Sequence, residues 1–460
     1  MNRTLSTLAL STFASTLGAQ ALEYTFVDLD AGAVSMDTAL DINNRGEVIG
    51  RNSAFTGPVV RWTEATGTTN LAGVTQSSVP VEINDAGQIV GTFLNAGATG
   101  EAFLWENGVV TRFAPSTGND RSAARGITEA GLIGVASGIL GGGGVIVSTA
   151  TADFFVLVPG MAPQDIPVGG SVSDFNSNLQ AVGRFNSGGA FYENGQTIEL
   201  GIPPGQAGAT AATATAINKA GLIIGRRFFS TGFATENEQG IYWTGPDAST
   251  GASIPLFEST ANALNEFGTI VGGSDQGAFR FEVGGQPQIL SDLVQLPPGI
   301  DLFEANGINE LGQIVGRYRR QDGSFGGFLL NPIELGDSFC VATPNSTGAP
   351  ARLRAIGSTS ASSPSGLRLQ AVSTPETTGV FLFGTTQAQT PLGSGFLCLG
   401  DPFVLANDFE QSNEISNLSL QVPSSAAGLS VRLQYVFQDT DAGGALTLNA
   451  SDGLELTLQP

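Results

Sequence analysis

The stretch Ile83-Asn84-Asp85-Ala86-Gly87-Gln88-Ile89-Val90-Gly91 decides how this chain folds, because the chain repeats it. Clear copies span residues 42–50, 217–225, 264–272 and 308–316, and degraded copies span 127–134 and 175–183. The second residue of each copy serves as an anchor, and the anchors are Asn43, Asn84, Thr128, Asn176, Asn218, Asn265 and Asn309. Their spacings lie between 41 and 48 residues. A near-constant period of this length is the mark of a repeat architecture.

Each copy predicts two short strands joined by a tight turn, because apolar residues flank an Asn-x-x-Gly core. Asparagine at the first turn position can bond the nearby backbone, and glycine at the fourth accepts a positive φ. Where Leu179 replaces that glycine, we expect Asn178 to take the left-handed conformation instead. The glycine that ends the motif, such as Gly50 or Gly91, indicates a close backbone approach at a strand end.

A third strand follows each copy and is rich in aromatic residues, as at 102–105, 190–192, 241–243 and 278–281. A short turn, twice Glu-Asn-Gly, then leads to a fourth strand. In the third repeat we expect residues 153–155 to form that last strand. Four antiparallel strands in about 44 residues make one blade of a β-propeller, so the anchors predict seven blades.

The two ends of the repeat region predict how the ring closes. The seventh repeat lacks a fourth strand after residues 328–330, whereas Tyr24 to Leu29 form a spare strand before the first repeat. Pairing the two would satisfy two strand edges that are otherwise prone to aggregation.

These motifs resemble the extracellular repeats named after a His-Ala-Phe tripeptide, and the resemblance covers most of residues 24–332. The chain departs from the name, because Glu101, Gly189 and Gly277 precede its Ala-Phe pairs and it contains no histidine. The resemblance implies an extracellular, propeller-like protein. It implies no reaction, because the family has none established.

From about Leu335 the repeat is gone, and short strands with turn residues predict a β-sandwich over residues 335–460. This part resembles a C-terminal module of secreted bacterial proteins through its Cys340…Pro-Asn-Ser-Thr-Gly opening, its central Gly-Phe-Leu-Cys398 and a late Ser-Asp-Gly. With two cysteines, export and no metal-ligand spacing, we predict a Cys340–Cys398 disulfide.

The N-terminus resembles a secretory signal peptide, because Arg3 precedes a mildly apolar run and a small-residue cleavage site at Ala21. We therefore expect a signal peptide at 1–21, a seven-bladed propeller at 22–334 and the sandwich at 335–460. No later stretch has the ~18 apolar residues of a spanning helix. The expected location is secreted: extracellular, periplasmic or surface-associated in a bacterium.

The formal net charge is −22, and an acidic surface of this strength repels nucleic acid. We expect an extracellular protein or a glycan as the partner, although the acidity alone also serves solubility. Without histidine, a Ser-His-Asp triad, a Cys-His pair and an imidazole metal site are all excluded.

The preferred function is therefore a secreted, non-catalytic binding or scaffold protein. The alternative is a carbohydrate-active hydrolase, because two facing carboxylates can cleave glycosides. Asp41, Glu82, Asp174 and Glu304 precede inner strands and are the candidates for that chemistry. No cofactor is required. The short spacing of Asp439, Asp441 and Gly443 could hold Ca²⁺, although an ordinary acidic turn explains it as well.

Seven arginines cluster after the glycine that ends the second strand, and they are Arg51, Arg184, Arg226, Arg227, Arg317, Arg319 and Arg320. The connections of variable length share this face of the predicted propeller, and variable loops on a rigid scaffold commonly carry function. We name these residues the arginine rim. They either pair with acids and stack on aromatic rings or bind an anionic ligand such as an acidic glycan.

Overall fold

The computed structural model describes residues 22–53, 58–74, 77–94, 100–140, 146–147, 153–158, 163–203, 208–229, 237–406 and 409–460. The expected signal peptide at 1–21 lies outside these ranges. Within them all regular structure is β-strand, apart from 3₁₀ turns at Ala248–Thr250, Leu290–Asp292 and Ser424–Ala426. The all-β prediction is confirmed.

The repeat region forms propeller-like antiparallel sheets, and a single strand, β1 (Tyr24–Asp28), precedes them. Four repeats form separate four-stranded sheets, the third repeat has a fifth strand, and the last two repeats join in one eight-stranded sheet that includes β1. The first two repeats contain β2 (Thr38–Ile42), β3 (Val48–Arg51), β4 (Val59–Thr63), β5 (Gly67–Asn70), β6 (Ser78–Ile83), β7 (Ile89–Leu94), β8 (Gly100–Glu106) and β9 (Val109–Phe113). The third and fourth contain β10 (Arg121–Ile127), β11 (Ile133–Leu140), β12 (Ile146–Val147), β13 (Asp153–Leu157), β14 (Gln164–Ile166), β15 (Ser171–Phe175), β16 (Ala181–Phe185), β17 (Gly188–Glu193) and β18 (Gln196–Gly201).

The remaining repeats continue the same order. They contain β19 (Ala209–Ile217), β20 (Ile223–Phe229), β21 (Asn237–Trp243), β22 (Gly251–Ser253), β23 (Thr260–Leu264), β24 (Thr269–Ser274), β25 (Gly277–Glu282), β26 (Gln288–Ile289), β27 (Ile300–Ile308), β28 (Ile314–Arg320) and β29 (Phe325–Pro332). The expectation for the third repeat is wrong in one respect. Its strand β13 is the third of the sheet, between β11 and β14, so residues 153–155 do not end it.

Strand β1 closes the repeat region by pairing antiparallel with β29, from Tyr24 opposite Pro332 to Asp28 opposite Phe328. The predicted closure of the ring by its own two ends is confirmed. Because β1 supplies the fourth strand of the last repeat, main-chain hydrogen bonds join the N-terminal end of the repeat region to its C-terminal end.

The anchor turns have the geometry that the sequence predicts. In the second repeat, Gly87 donates its N–H to the carbonyl oxygen of Asn84 at 2.9 Å, and its φ is 78°. The copy without glycine departs from the expectation, because Leu179 and not Asn178 takes the positive φ, at 60°. Its N–H donates to Asn176 at 3.0 Å, so the fourth turn position dictates the conformation whatever residue occupies it.

Neighbouring sheets pack face to face through the aromatic third strands. Trp243 shares one buried cluster with Phe191 and Val182 of the preceding repeat. Its indole Nε1 donates to the carbonyl oxygen of Leu200 at 3.1 Å, also in that repeat. The motif's last glycine permits tight packing as well, since a Cβ on Gly91 would lie 2.6 Å from the Phe103 ring.

The C-terminal part contains two antiparallel sheets that share one apolar core, with Leu353 and Leu369 from one sheet against Phe381 and Leu454 from the other. Their strands are β30 (Asp337–Phe339), β31 (Arg352–Gly357), β32 (Leu367–Val372), β33 (Gly379–Leu392), β34 (Gly395–Ala406), β35 (Glu410–Ser412), β36 (Ile415–Leu420), β37 (Ser430–Thr440) and β38 (Leu446–Thr457). Cys340 and Cys398 form the predicted disulfide, with Cα atoms 6.2 Å apart.

The C-terminal part contacts the repeats at the end that carries the anchor turns. Gln370 donates to the carbonyl oxygen of Glu310 at 2.7 Å. Buried Glu23 accepts from Arg280 at 2.5 Å and from Ser365. These bonds join the segment just before β1, the sixth and seventh repeats and the C-terminal part.

Candidate functional site

A β-bulge at the same position in every first strand shapes the centre of the repeat region. In each of β2, β6, β10, β15, β19, β23 and β27 the pairing register shifts three residues before the anchor. The bulged residues are Leu40, Val81, Arg125, Ser173, Thr215, Asn262 and Asn306, and all of them line one cavity of about 560 Å³. This volume falls in the range of ~300–1,000 Å³ that small-molecule sites occupy. We call it the central cavity.

Three acids follow the bulge and also line the cavity, and each one bonds the next first strand around the ring. Asp41 accepts the N–H of Ile83 at 2.9 Å. Glu82 accepts that of Ile127 at 2.7 Å, and Asp174 accepts that of Ile217 at 3.0 Å. These carboxyls therefore hydrogen-bond neighbouring repeats to one another.

A second set of acids directly follows the anchors. At the turns, each of these carboxyls also accepts a backbone N–H from a neighbouring repeat. Glu129 accepts the N–H of Asp85 at 2.8 Å. Glu266 accepts that of Lys219 at 2.7 Å, and Glu310 accepts that of Glu266 at 3.0 Å. All six of the carboxyls in these two sets line the central cavity and hold a backbone partner.

Burial raises the pKa of these carboxyls, because a buried charge loses its hydration. The pKa of Asp41 rises to about 6, and the pKa values of Glu129 and Asp174 rise to about 7. Burial raises the pKa of Glu82 well above its ordinary value, and the charge of Asp174 adds to the effect. Glu310 also has a raised pKa, from burial first and then from the charge of Glu266. The cavity therefore gains much of its negative charge only near neutral pH.

Glu82 and Asp174 flank the same glycine of the third repeat. A Cβ on Gly126 would lie 2.7 Å from Glu82 Oε2 and 3.2 Å from Asp174 Oδ1. The lack of a side chain on Gly126 leaves room for both carboxyls. Two neighbouring carboxyls are also what glycoside hydrolysis requires.

Arg125 projects into the cavity from β10, two residues before Ile127. Its Nε is buried without a hydrogen-bond partner, and no ion pair to it is found among the described residues. Burial lowers its pKa from the ordinary value, but a guanidinium stays charged in proteins. Unlike the acids around it, Arg125 has no side-chain hydrogen bond or ion pair to the part of the chain that the structure describes.

The C-terminal part completes the cavity wall with Glu376, Ser412 and Asn413. Asn413 and Glu414 form the tight turn between β35 and β36, and both have a positive φ, of 50° and 61°. The N–H of Asn413 donates to Glu376 Oε1 at 3.0 Å. The site is therefore built from both parts of the chain.

In the structure, residues of the arginine rim form ion pairs with different acids. Arg226 pairs with Glu238 at 3.1 Å, and Arg317 pairs with Glu304 at 2.8 Å between the rings of Phe303 and Phe325. Arg320 pairs with Asp30 at 2.5 Å. Glu304, expected near the channel, is thus engaged with the rim and does not line the central cavity.

The other four rim arginines have varied surroundings. Arg227 is only 1% exposed, and its Nη1 donates to the carbonyl oxygen of Pro203 at 3.1 Å. Arg184 donates to the carbonyl oxygen of Asn186 at 3.1 Å. Arg319 lies over the Phe303 ring at 5.6 Å. Burial and then the charge of Arg317 lower the pKa of Arg51.

In the candidate Ca²⁺ loop, the carboxylate oxygens of Asp439 and Asp441 accept hydrogen bonds from the protein. Asp441 Oδ1 accepts the N–H groups of Gly443 at 2.8 Å and Ala445 at 2.9 Å. Asp439 bonds Ser346 and Asn449 at 3.0 Å each. In the ranges that the structure describes, no cluster of three or more metal-ligating side chains occurs.

Sequence reasoning missed Arg125 and the turn acids Glu129, Glu266 and Glu310. A signal existed, because residues at a fixed offset from a repeated anchor occupy equivalent places in the ring. Reading the third residue before each anchor, and the first after it, across all copies would have found Arg125 and the turn acids.

Comparisons with known proteins give structural neighbours only. No protein-family model and no curated protein matches the chain. A virginiamycin B lyase from Staphylococcus aureus is 13% identical, with a TM-score of 0.44 over 67% of this chain and 99% of the lyase. A streptogramin B lyase is 14% identical, with a TM-score of 0.39 over 67% and 98%. The GH43 protein BlXynB from Bacillus licheniformis is 9% identical, with a TM-score of 0.26 over 93% and 90%.

None of the helices described has the length and apolar character needed to cross a membrane.

Proposed function

We propose that this chain is a secreted, non-catalytic binding or scaffold protein for an extracellular partner or glycan. In this proposal residues 22–334 form a seven-bladed β-propeller, residues 335–460 form a β-sandwich, and residues 1–21 are a cleaved signal peptide. The family proposed for the repeats is the extracellular one named after the His-Ala-Phe tripeptide, with the C-terminal module of secreted bacterial proteins behind it.

The observation that carries the non-catalytic assignment is the engagement of the cavity carboxyls. Asp41, Glu82 and Asp174 each accept a backbone N–H from the neighbouring repeat at 2.7–3.0 Å. A general acid or base has to give up and regain a proton at the substrate. A carboxyl that holds two repeats together is poorly placed for that movement, whereas a rigid polar wall suits ligand binding.

The location proposal is supported by the disulfide between Cys340 and Cys398. Disulfides persist in oxidising compartments and are rare in the cytosol. A secreted protein of this charge would meet other proteins, glycans and cations rather than nucleic acid.

The alternative function is a carbohydrate-active hydrolase, and Glu82 and Asp174 are the specific reason to keep it. They flank Gly126, and their raised pKa values would allow one to be protonated while the other is ionised. Glycoside hydrolysis needs such a pair at a separation of ~5–9 Å.

One experiment separates the two functions. The purified protein is screened on a glycan array beside a general glycosidase assay, together with Glu82→Gln and Asp174→Asn. We expect glycan capture without turnover, and neither single variant should abolish binding. Turnover by the wild type that disappears in either single variant would establish the hydrolase instead. Binding to no glycan at all would remove the glycan from the proposal and leave a protein partner.

A further inference from the structure

Arg125 differs from every other polar residue of the bulge ring. Ser173, Thr215, Asn262 and Asn306 are neutral, and Leu40 and Val81 are apolar. Asn262 and Asn306 donate to the backbone carbonyls of Ala305 and Ala39 at 2.9 and 3.0 Å. Arg125 makes no such bond among the described residues, and its Nε is buried without a partner.

The acids around Arg125 differ from it in their hydrogen bonding. The six carboxyls that ring the cavity each accept a backbone N–H, whereas the Arg125 guanidinium has neither a hydrogen bond nor an ion pair within the described ranges. Arg125 is half-buried, and partial loss of hydration without a partner carries a free-energy cost. Desolvated ionisable groups in a cavity often mark functional sites. The missing partner of a guanidinium is an oxyanion, which it binds through two parallel N–H groups.

We propose that the central cavity binds an oxyanion-bearing sugar, either a uronate or a sulfated sugar, with its anionic group on the Arg125 guanidinium. This inference rests on the proposed glycan-binding function and names the ligand class for the same site. Ser173 and Thr215 lie on the next first strands and line the same space, where their hydroxyl oxygens can accept hydrogen bonds from the sugar hydroxyls. Leu40 and Val81 offer an apolar surface to the less polar side of the ring.

The charge of the cavity controls whether an anion is accepted. The titratable groups that face it are Asp41, Glu82, Glu129, Asp174, Glu266, Glu310, Glu376, Arg125 and Lys219. Because the pKa values of Asp41, Glu129 and Asp174 are raised to about 6 or 7, these carboxyls are largely neutral in mild acid. Binding of the anionic sugar should therefore weaken from about pH 5 to about pH 8, as they ionise and repel it.

The test measures binding by calorimetry with three matched probes. They are a short oligogalacturonate, its methyl ester, which has the same sugars without charge, and a sulfated galactose oligomer. The variants are Arg125→Gln, Arg125→Lys and, as a control, Arg112→Gln, an exposed arginine that pairs with Glu101 at 2.9 Å. Loss of charge-assisted hydrogen bonds should weaken binding of the anionic probe by about 10- to 100-fold in Arg125→Gln.

The pattern of results decides each claim separately. We expect Arg125→Lys to lose less affinity than Arg125→Gln, Arg112→Gln to bind as the wild type does, and the methyl ester to bind weakly. The sulfated probe shows whether the site takes sulfate as well as carboxylate. Equal binding of acid and ester, or unchanged binding by Arg125→Gln, would overturn the inference while leaving the binding function standing. Should Arg125→Gln fail to fold, the comparison of acid with ester on the wild type still decides. Failure of all three probes to bind would also overturn the assignment of an anionic sugar to the cavity. The glycan array then tests the proposed binding function separately.

Discussion

The side chain of Asn309 donates a hydrogen bond to the carbonyl oxygen of Asn43, 2.9 Å away and 266 residues earlier in the chain. The same bond links Asn43 to Asn84, Asn84 to Thr128, Asn176 to Asn218, Asn218 to Asn265 and Asn265 to Asn309. The anchors thus form a nearly complete ring of side-chain bonds around the cavity. Its gap falls after Thr128, whose hydroxyl is too short to reach the next repeat.

The gap in the anchor ring predicts a stabilising substitution. Thr128→Asn would supply the missing donor for the carbonyl oxygen of Asn176 and should raise the free energy of unfolding by about 1 kcal/mol. Chemical denaturation measures the change. The converse substitution, Asn84→Thr, should lower stability by a similar or larger amount, because it opens a second gap. Thr128→Asn with no gain beside a clear loss in Asn84→Thr would mean that the third repeat cannot adopt the common turn geometry.

The pairing of β1 with β29 predicts that the repeat region depends on its N-terminal strand. Deletion of residues 22–30 exposes the edge of β29 and removes Asp28, which accepts from Tyr318 at 2.9 Å. It also removes Asp30, the partner of Arg320. We expect the melting temperature to fall by about 5–10 °C or more, as the loss of several kcal/mol implies. Removal of residues 1–21 alone is the control and should leave the melt unchanged; equal melts for the two truncations would refute the role of β1.

The raised pKa values predict that stability falls as pH rises. A carboxyl whose pKa is higher in the folded state binds its proton more tightly there, so its contribution is complete below the unfolded pKa of about 4. That contribution is lost as pH rises through the folded pKa, which is about 6 for Asp41 and about 7 for Glu129 and Asp174. The free energy of unfolding should decline between about pH 4 and pH 7 by a few kcal/mol.

Asp174→Asn checks the assignment of this pH effect. Asparagine keeps an oxygen that can accept the N–H of Ile217 but carries no charge. The variant should match the wild type near pH 5, be more stable than it near pH 8, and show a shallower pH dependence. An unchanged pH dependence would show that the titrating groups lie elsewhere.

The rim arginines should differ in their effect on stability. Arg320 donates to the partly buried Asp30 and to the hydroxyl of Tyr318, each at 2.5 Å, so Arg320→Gln should cost about 1–3 kcal/mol. The Arg226–Glu238 pair is more exposed, and Arg226→Gln should cost less than about 1 kcal/mol. Urea titration of both variants tests the ranking, and equal costs would contradict it.

The same rim provides a control for ligand location. The triple variant Arg226→Gln, Arg317→Gln and Arg320→Gln should melt lower than the wild type but keep its affinity for the oligogalacturonate. If it loses binding and melts as the wild type does, the anionic ligand lies on the rim instead of on Arg125.

The repeat period, the turns and the closing strand could be predicted because they depend on local chemistry. Glycine after asparagine fixes a turn, and an unpaired strand at each end invites pairing. Leu179 shows the limit of that reasoning, because the shape of the turn, held by its neighbours, overrides the preference of a single residue. The sequence predicted only some of the acids that line the cavity. Which ones hold a neighbour's N–H depends on bulges and on contacts across about 44 residues, which residue type alone does not report.

The proposed function requires that the central cavity binds its glycan without turnover. The direct measurement incubates the wild type with the glycan that the array selects and follows two quantities together: ligand bound to the protein and newly formed reducing ends. We predict that the bound glycan is recovered intact and that reducing ends accumulate no faster than in buffer. Reducing ends that accumulate with the wild type and stop in either Glu82→Gln or Asp174→Asn would contradict binding without turnover.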